Sequence, residues 1–580
     1  MKRTAALVNE KYWENFLATL SMVASIAAAA IVDRIMVGNF LGGTALAALN
    51  LTDPIVEVIN IVFGFFVFGG NTLAVMRKAE RDSKGANRAF TIAIAGGALV
   101  MSFVAFLEIL FRSRISIMLC VNNDTLCQPV LDYLTPLAVF GVLVILLNGT
   151  SAFVRVDGMQ KLAVIIPIVA NASNLFFDYV FMGILHWGIA SAGWATNLGY
   201  LVGMLFLMQY FRSEMRTFFF DLKGLTDFPL IRETMRTGLA SAMVDVCLFI
   251  QAYSMNSAIL ICLGATGAEV AAVCLSANSI AAVIHKGTTQ TLLPIGGALY
   301  GEKDYNGLKS VMRTCFILTE ALLLATAALL CAVPRPFGAV FGVRSEATLI
   351  MMDTGFRLYL VSLPFVGMME WLRVCLQATK RSYAATVLVA ISGTVCFVPV
   401  LLLLAALRPG MLWLALAIAP LLAVCFCLGG LSFRSHGSGD KTGILFPEEA
   451  DDAWTHDFSI PNTVEGAEEA SARIIALCRE QGVDGKAANN LGVAAEELCT
   501  NIAKYAYGDR KDSVDIFLRI DKKELLLRIR DNGVIFNPVE FVSDSGEEIH
   551  GLKVLGMLPA EKEYNRVLGF NNTIITIPAV

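Results

Sequence analysis

Twelve long apolar stretches occupy the first three quarters of this 580-residue sequence. A helix needs about 20 mostly apolar residues to cross the hydrocarbon core of a bilayer. The sequence therefore predicts an all-α polytopic membrane protein over this region, embedded in a lipid bilayer. The predicted spans have the approximate limits 13–37, 46–75, 89–111, 130–154, 162–183, 188–211, 235–262, 269–299, 308–332, 349–377, 383–406 and 411–433.

The distribution of charge separates a second body from the membrane part. Only 16% of the chain is charged, against about 25% in a typical soluble domain. Residues 442–580 nevertheless hold 14 Lys and Arg against 24 Asp and Glu, a net charge of −10, whereas residues 1–441 carry +6. We expect four segments: a six-span lobe at 1–222, a second six-span lobe at 223–435, a linker at 436–454 and a soluble domain at 455–580.

Basic residues mark alternate connections between the spans. Segments such as RKAERDSKGANR (77–88) and GEKDYNGLKSVMR (301–313) are rich in Lys and Arg, whereas GNFLGGT (38–44) and GILHWG (183–188) carry none. By the positive-inside rule, basic loops stay in the cytoplasm. Both termini, and with them the acidic tail, are therefore predicted to be cytoplasmic in a multi-pass protein of the inner (plasma) membrane.

The two halves of the membrane part show a weak internal repeat. LGGTALAALNLTDPI (41–55) is similar to LGATGAEVAAVCLSANSI (263–280), and each is followed by a long span and a basic connection. Two six-span halves in parallel repeat are a known transporter architecture, with the substrate path between them. The repeat favours a two-lobe transporter.

Three segments resemble the multidrug and toxic compound extrusion (MATE) family of efflux antiporters. They are VDRIMVGNFLG (32–42), RVDGMQK (155–161) and NASNLFFDYVFMGILHWGIASAGWATN (171–197), and the resemblance extends over residues 10–435. It implies that entry of Na⁺ or H⁺ drives export of a small organic or cationic substrate. A related possibility is a flippase for lipid-linked precursors, which basic residues facing the central cavity would favour, and few are evident.

Carboxylates inside apolar spans are functional candidates because charge in a bilayer is expensive. Asp33 lies near the end of the first span and Asp178 within the fifth, with Asn174 one helical turn before it. Thr196 follows on the sixth span. These oxygens could bind Na⁺, or a carboxylate could carry H⁺. The resemblance implies that Asp33, Asn174, Asp178 and Thr196 form the coupling-cation site of the first lobe.

A second cation site is possible in the other lobe. Asp245 lies in the seventh predicted span and Glu370 in the tenth. Some members of the family that the chain resembles carry a cation site in this half. Both residues are weaker candidates because neither falls in a firm motif.

The acidic tail has the pattern of an α/β sandwich with its helices on one face of a sheet. DFSIP predicts a strand, and the residues that follow predict an amphipathic helix with Ala467, Ala470, Ile474, Ile475 and Cys478 on one face. NNLGVAAEELCTNIAKYAYG predicts a second helix, ending at Gly508. SVDIFLRID, ELLLRIRD and NNTIITIP alternate as strands do.

Polar residues at fixed positions in the tail predict a nucleotide site. Glu497 and Asn501 share one helix face. There the carboxylate of Glu497 could orient a water, and the amide oxygen of Asn501 could ligate Mg²⁺. Asp531 could accept a hydrogen bond from an adenine amine, with Gly533 allowing the base to approach. The segment from His550 to Gly556, which includes Gly551, could present backbone N–H groups to phosphates.

In this order the pieces resemble Bergerat-fold ATPases, most of all the anti-sigma-factor serine-kinase-like ATP-binding domain, over residues 455–580. The resemblance implies that Glu497 activates a water or hydroxyl, Asn501 binds Mg²⁺ and Asp531 contacts adenine. Ile535 and Lys553 stand where the family usually has glycine, so ATP binding is expected and catalysis is left open.

The sequence therefore predicts a cation-coupled efflux antiporter with a cytosolic ATP-binding regulatory domain. ATP is not the expected transport fuel, because the tail lacks a GxxxxGK[ST] sequence. The alternative is a membrane sensor whose tail acts as a serine kinase or sequesters an anti-anti-sigma-like protein. No segment predicts a nucleic-acid partner.

Overall fold

The structure is a computed structural model that describes residues 6–79, 82–121, 123–157, 159–213, 216–302, 304–438, 454–508, 510, 512–521, 524–534, 537, 558, 560–567 and 570–578. The chain divides into two bodies. The first, called the membrane body here, comprises Ala18–Gln290 and Cys315–Ser432. The second, called the tail body, comprises Met1–Leu17, Thr291–Thr314 and Phe433–Val580.

Among the described residues, eighteen α-helices precede the tail domain. Those before residue 215 are α1 (Ala6–Leu41), α2 (Gly43–Leu51), α3 (Asp53–Phe63), α4 (Gly69–Ala79), α5 (Ser83–Thr91), α6 (Gly97–Cys120), α7 (Asp124–Val144), α8 (Thr150–Val156), α9 (Gln160–Asp178) and α10 (Ala190–Phe211). Those after it are α11 (Phe228–Gly301), α12 (Tyr305–Ala332), α13 (Pro334–Val340), α14 (Glu346–Leu360), α15 (Ser362–Ala378), α16 (Ser382–Ala390), α17 (Phe397–Leu407) and α18 (Ala415–Ser438).

All twelve stretches predicted to span the membrane are helical. Within the described residues, nine continuous helical runs are long and apolar enough to cross a bilayer. One of them, Ser241–Gly301, contains most of the seventh predicted span and all of the eighth, and it is broken at Gly264, whose φ of 67° only glycine adopts readily. The first and sixth predicted spans are the helices α1 and α10, which are not among those nine. The all-α membrane fold is confirmed.

The apolar residues of the membrane body form two large cores. One is drawn from residues between Val37 and Ala268, and the other mainly from residues between Met255 and Ala419. This grouping follows the two halves of the sequence. The lobe boundary at residues 222 and 223 stays a prediction.

Several helices widen into a short π-helical turn, a feature that recurs at functional sites. One such turn, Tyr179–Ile184, begins directly after Asp178. Another, Ile502–Ala506, begins directly after Asn501. Two of the residues singled out from the sequence therefore lie where helical hydrogen bonding changes.

In the part of the tail domain that the structure describes, a five-stranded antiparallel sheet packs with two α-helices. Its elements are β1 (Trp454–Pro461), α19 (Val464–Glu480), α20 (Gly485–Asn501), β2 (Ser513–Ile520), β3 (Glu524–Asp531), β4 (Glu561–Val567) and β5 (Phe570–Pro578). The strand order is β1-β2-β3-β5-β4. The α/β sandwich is confirmed, and the predicted linker at 436–454 lies largely outside the described residues.

Side chains from one face of the sheet form the core of this domain with α19 and α20. Val514, Ile516 and Leu518 alternate along β2 and are fully or almost fully buried in that core. The helices begin at side-chain caps, where Thr463 Oγ1 accepts a hydrogen bond from Gly466 N and Asp484 Oδ2 accepts one from Lys486 N. The amphipathic pattern of the sequence therefore places both helices correctly.

The sequence did not predict β4, whose residues read EKEYNRV. Strand patterns are recognised by alternating apolar residues, and this segment has almost none. It forms the edge of the sheet, paired only with β5 among the described strands. Its side chains need no alternating apolar pattern, because an edge strand buries little side-chain surface.

Candidate functional site

The structure brings the four predicted cation-site residues of the membrane body together. Asn174 Nδ2 donates hydrogen bonds to Asp178 Oδ2 at 2.9 Å and to Thr196 Oγ1 at 3.2 Å. The carboxyl groups of Asp33 and Asp178 lie close enough to interact electrostatically. The first, fifth and sixth predicted spans therefore each contribute a polar side chain to one cluster.

The cluster has unused hydrogen-bonding capacity. Asp178 is 0% exposed, and one oxygen of each carboxyl, Asp33 Oδ1 and Asp178 Oδ1, is buried without a hydrogen-bond partner among the described residues. Two adjoining carboxylates in such a place repel each other unless they share a proton or bind a cation. The oxygens of Asp33, Asp178 and Thr196 are also the kind of ligand that hard cations prefer.

The structure does not join Asp245 and Glu370 in one cluster. Within the described residues, no hydrogen bond or ion pair connects them. Glu370 is instead bound by Arg373, whose Nε donates to its carboxylate at 2.7 Å. Glu57 and Lys286 are the charged neighbours of Asp245. A second cation site at these two residues stays a prediction.

Asp531 ends β3 and anchors the turn that follows it. Its Oδ1 accepts hydrogen bonds from Gly533 N at 2.8 Å and from Asn571 Nδ2 at 2.9 Å. Burial raises the pKa of Asp531, and these two hydrogen bonds oppose the rise without cancelling it. The carboxyl is therefore held in one orientation and largely shielded from solvent, as recognition of the edge of a base requires.

Gly533 lies where the turn touches the end of the second helix. A Cβ placed on Gly533 would come within 2.6 Å of Ala506 Cβ and 2.7 Å of Ala506 O. Val534 N also donates to Ala506 O at 3.0 Å. A side chain at position 533 would push the turn away from the helix, so the glycine is required by this close approach.

Glu497 and Asn501 lie one helical turn apart on α20, as the spacing predicts. Asn501 is buried, and its Nδ2 has no hydrogen-bond partner among the described residues. A half-turn of the amide would present Oδ1 at the same position, where it could ligate Mg²⁺. Glu497 is half-buried, and no described residue hydrogen-bonds its carboxylate. The residues present therefore fit a divalent cation at this helix face.

Gly551 and Gly556, predicted to lie near the phosphates, are outside the described residues, as are Ile535 and Lys553. The structure adds Asn571 on β5, which sequence reasoning missed. Its Nδ2 binds Asp531 and also Val534 O at 2.9 Å, while its Oδ1 accepts from Tyr564 and Arg566. The sequence feature that could have indicated this role is the polar pair Asn571-Asn572 at the start of an otherwise apolar strand.

Two family profiles match the chain. The family described as "MatE" matches residues 19–180. The family described as "Histidine kinase-like ATPase domain" matches residues 460–574. The first match contains Asp33, Asn174 and Asp178, and the second contains Glu497, Asn501 and Asp531.

Curated relatives match the membrane part. A protein of Listeria monocytogenes named "Probable multidrug resistance protein NorM" is 23% identical over 317 residues, which is 51% of this chain and 67% of that protein. A protein of Listeria innocua with the same name is 23% identical over 320 residues, with the same shares of the two chains.

Solved structures share the fold of the membrane part. One, described as the inward-facing conformation of a multidrug resistance MATE family transporter of the MOP superfamily, has a TM-score of 0.64 at 18% identity over 74% of this chain and 99% of that one. A MOP superfamily transporter from Pyrococcus furiosus has a TM-score of 0.59 at 17% identity, over 76% of this chain and 100% of that one. Residues 19–180 therefore match the MatE family, the membrane part shares the fold of solved MATE transporters, and residues 460–574 match the histidine kinase-like ATPase domain.

Proposed function

We propose that this protein exports small organic compounds, including cationic ones, in exchange for Na⁺ or H⁺ across the plasma membrane. The match of residues 19–180 to the MatE family and the fold shared with solved MATE transporters support transport. The names of the Listeria relatives support drugs as the exported compounds. The protein is then a multidrug efflux antiporter.

The contact between Asp33 and Asp178 is the observation that carries the coupling proposal. The pair has two buried oxygens without a hydrogen-bond partner among the described residues. Asn174 holds Asp178 toward Thr196. A proton or a Na⁺ at the pair would remove the repulsion between the carboxylates, and its departure would restore that repulsion.

This charge cycle gives the transporter a way to couple ion and substrate. A ligand shifts a conformational equilibrium only by its difference in affinity between two states. Cation binding at Asp33 and Asp178 favours a packed first lobe, whereas the empty pair disfavours it. Entry of the cation down its gradient therefore drives a change of state in one direction, and export of substrate uses that change.

Efflux from proteoliposomes tests the proposal. The purified chain is reconstituted with a fluorescent cationic dye, and either a Na⁺ gradient or a pH gradient is imposed without ATP. We expect one gradient to drive dye movement and the Asp33→Asn, Asp178→Asn double variant to lose it. Dye movement that is the same with and without both gradients would exclude cation coupling.

The tail domain is proposed to bind Mg·ATP and to regulate the transporter. Asn501 would hold Mg²⁺, Asp531 would contact adenine, and Gly533 would admit the base. Bound Mg²⁺ would screen the phosphate charges. The burial of Asn501 and the fixed orientation of Asp531 support this assignment. Gly551 and Gly556 remain proposed phosphate contacts on the strength of the sequence alone.

Both termini are proposed to be cytoplasmic. Asn9 near the start of α1 donates to Ser310 near the start of α12 at 3.2 Å, and both residues belong to the same body as the tail domain. This contact supports a common side of the membrane for these segments. The basic connections of the sequence, among them 77–88, support the cytoplasm as that side.

A second function is favoured by Glu497, whose carboxylate is not hydrogen-bonded by any described residue. Glu497 would then activate a hydroxyl, which a serine kinase requires. In that case the membrane part senses a ligand and the tail phosphorylates an anti-anti-sigma-like protein. Loss of ATP turnover, with unchanged dye efflux and unchanged ATP affinity, in Glu497→Gln would support catalysis by the tail.

A further inference from the structure

The sheet of the tail domain has a second, charged face. Strand alternation in β3 directs Leu527 and Ile529 into the core with the helices, so Arg528 and Arg530 lie on the opposite face. Both arginines are nonetheless buried, at 4% and 2% exposure. A buried arginine requires charged partners. Asp457 and Asp515 of the same sheet line a small cavity with both arginines, and further acidic partners come from outside the domain.

The acidic partners of Arg528 and Arg530 from outside the domain belong to the turn between α11 and α12, which lies in the same body as the tail domain. Arg530 Nη1 donates to Asp304 Oδ2 at 2.9 Å, and its Nη2 binds the carboxylate of Glu302. Arg528 Nη1 donates to the backbone oxygen of Glu302 at 2.8 Å. Asp304 is 1% exposed, so the ion pairs are enclosed.

The two arginines bind the ends of two membrane helices. Asp304 Oδ1 accepts from Gly307 N at 3.0 Å and so caps the first turn of α12. Glu302 directly follows Gly301, the last residue of α11, and its carbonyl lies at the negative end of that helix, where a cation is favoured. The sheet therefore holds the connection between α11 and α12 by groups that also end those helices.

The same two strands carry the nucleotide site on their other face. Arg530 pairs in register with Asn572, and its Nε donates to Asn572 Oδ1 at 3.0 Å. The next pair in the register is Asp531 with Asn571, joined by the hydrogen bond at the proposed adenine site. A shift of β3 against β5 on one face would move the groups on the other.

We propose that the outer face of this sheet docks on the turn between α11 and α12 through Arg528, Arg530, Glu302 and Asp304, and that nucleotide occupancy at Asp531 controls this docking. The ATPase-like domain thereby acts on the transporter at the cytoplasmic ends of two of its helices. The nucleotide part rests on the proposed ATP binding, whereas the docking part does not.

Cross-linking in the full-length chain tests the docking. Asn306 Nδ2 and Asp457 Oδ1 lie 3.1 Å apart beside the ion pairs, so Asn306→Cys with Asp457→Cys should be joined by a short bifunctional thiol reagent. Each single-cysteine variant controls for reaction with the native cysteines. The absence of a pair-dependent cross-link would overturn the docking.

Removal of the charges on the turn identifies what holds the domain. Glu302→Gln with Asp304→Asn keeps side-chain size and a favoured helix cap and leaves the tail sequence unchanged. We expect the rate of cross-linking to fall at least about tenfold, because hydrogen bonds to charged partners are lost. The matched control, Glu480→Gln with Asp484→Asn, removes two charges from exposed residues of the tail.

Equal cross-linking rates in the turn variant and its control would overturn the role of the ion pairs. The variants are compared only after melting curves show a cooperative transition for each. Glu302→Gln alone, which leaves the cap of α12 intact, replaces the double variant if the double variant does not fold.

Nucleotide control is tested with the same proteins. We expect Mg·ATP to change the cross-linking rate of the cysteine pair, and reciprocity requires the turn variant to change the Kd for Mg·ATP by the same factor. Unchanged cross-linking and unchanged Kd would overturn nucleotide control while leaving the docking in place. Failure of the unmodified chain to bind Mg·ATP would instead show that the proposed nucleotide function is wrong.

Discussion

Asn174 and Asp178 are joined by a hydrogen bond of 2.9 Å on one face of α9, and Asn174 also reaches Thr196 on α10. Asp178 has its second oxygen in the vicinity of Asp33, where neither carboxyl is fully satisfied by described residues. The amide thus fixes the position of the carboxyl without neutralising it. Ion-dependent behaviour should therefore depend on the two carboxyls and not on Asn174 alone.

The first prediction concerns this pair. Asp33→Asn should abolish gradient-driven efflux, because an amide beside Asp178 neither repels it nor binds the coupling ion as a carboxylate does. The folded state should be kept or stabilised, since a buried repulsion is removed. Efflux is measured in proteoliposomes, and melting of the purified protein reports stability.

Glu269→Gln is the control for this prediction. It neutralises another carboxylate of the membrane body, one that accepts a hydrogen bond from Thr348 at 2.7 Å and lies outside the four-residue cluster. Efflux should be retained in this variant. Wild-type efflux in Asp33→Asn with Asp178→Asn would refute the cation-site assignment.

The second prediction concerns Asp157, which joins three segments of the membrane body. It accepts hydrogen bonds from Lys78 Nζ at 2.8 Å, Tyr210 OH at 2.8 Å and Thr217 N at 2.9 Å. Replacement by Asn leaves donors facing an amide, so Asp157→Asn should lower the free energy of unfolding by about 1.5–3 kcal/mol. Asp132→Asn, at an exposed carboxylate, should change it by less than about 0.5 kcal/mol.

The pH dependence of the same contact follows from its charge. Burial acts to raise the pKa of Asp157, but hydrogen bonds from Lys78 and Thr217 outweigh burial and lower it overall. A lowered pKa means that the stabilisation is present above the unfolded pKa of about 4 and is lost as pH falls through the folded pKa. Melting temperature should therefore drop more steeply in wild type than in Asp157→Asn below that pH. Parallel curves would contradict the contact.

The sequence was sufficient to predict the helices, the α/β sandwich and the pairs of residues that lie four positions apart on one helix. Asn174 with Asp178, and Glu497 with Asn501, are four residues apart, so helical geometry alone places them together. Asp33 could be placed beside Asp178 only through the family resemblance. Arg530 and Asp304 are 226 residues apart in the chain, and no periodicity or spacing connects them.

Asn571 illustrates a different limit. Its contribution depends on which strand pairs with β3, and strand order is not encoded in the alternation that predicts strands. In the structure β5 lies between β3 and β4, which brings Asn571 beside Asp531. If the strands paired in the order in which they follow one another in the sequence, β4 would lie against β3.

The third prediction concerns orientation. His186 lies in a connection between helices, Ser83 is the first residue of α5, and both are exposed. The basic segment 77–88, which contains Ser83, is predicted to be cytoplasmic. In a background without native cysteines, an impermeant thiol reagent should label His186→Cys in intact cells and should label Ser83→Cys only after permeabilisation. The reverse pattern would place the tail domain outside, away from cytosolic ATP.

The fourth prediction concerns Asn501. Asn501→Ala should reduce the Mg²⁺-dependent part of ATP affinity by at least about tenfold, as loss of a metal-site residue does. The stability of the nucleotide-free protein should not fall, because the Nδ2 of Asn501 is buried without a hydrogen-bond partner among the described residues. Calorimetric titration with ATP, with and without Mg²⁺, measures the effect. Asn489→Ala, at an exposed position of the same helix, should leave both quantities unchanged.

The fifth prediction sets stability against recognition at Asp531. Burial raises the pKa of Asp531, so the folded protein holds the proton more tightly, and stability from this group falls as pH rises from the unfolded pKa through the folded pKa. Asp531→Asn keeps an oxygen acceptor for Gly533 and Asn571 but carries no charge. It should therefore raise the melting temperature of the nucleotide-free protein at pH 7.

The amide should also weaken recognition of the adenine amine, so that ATP and GTP raise the melting temperature by similar amounts. Asp484→Asn, at an exposed helix cap, should change neither property. A lower melting temperature in Asp531→Asn, or an ATP preference equal to that of wild type, would show that Asp531 is a structural residue of the turn and that adenine is read elsewhere.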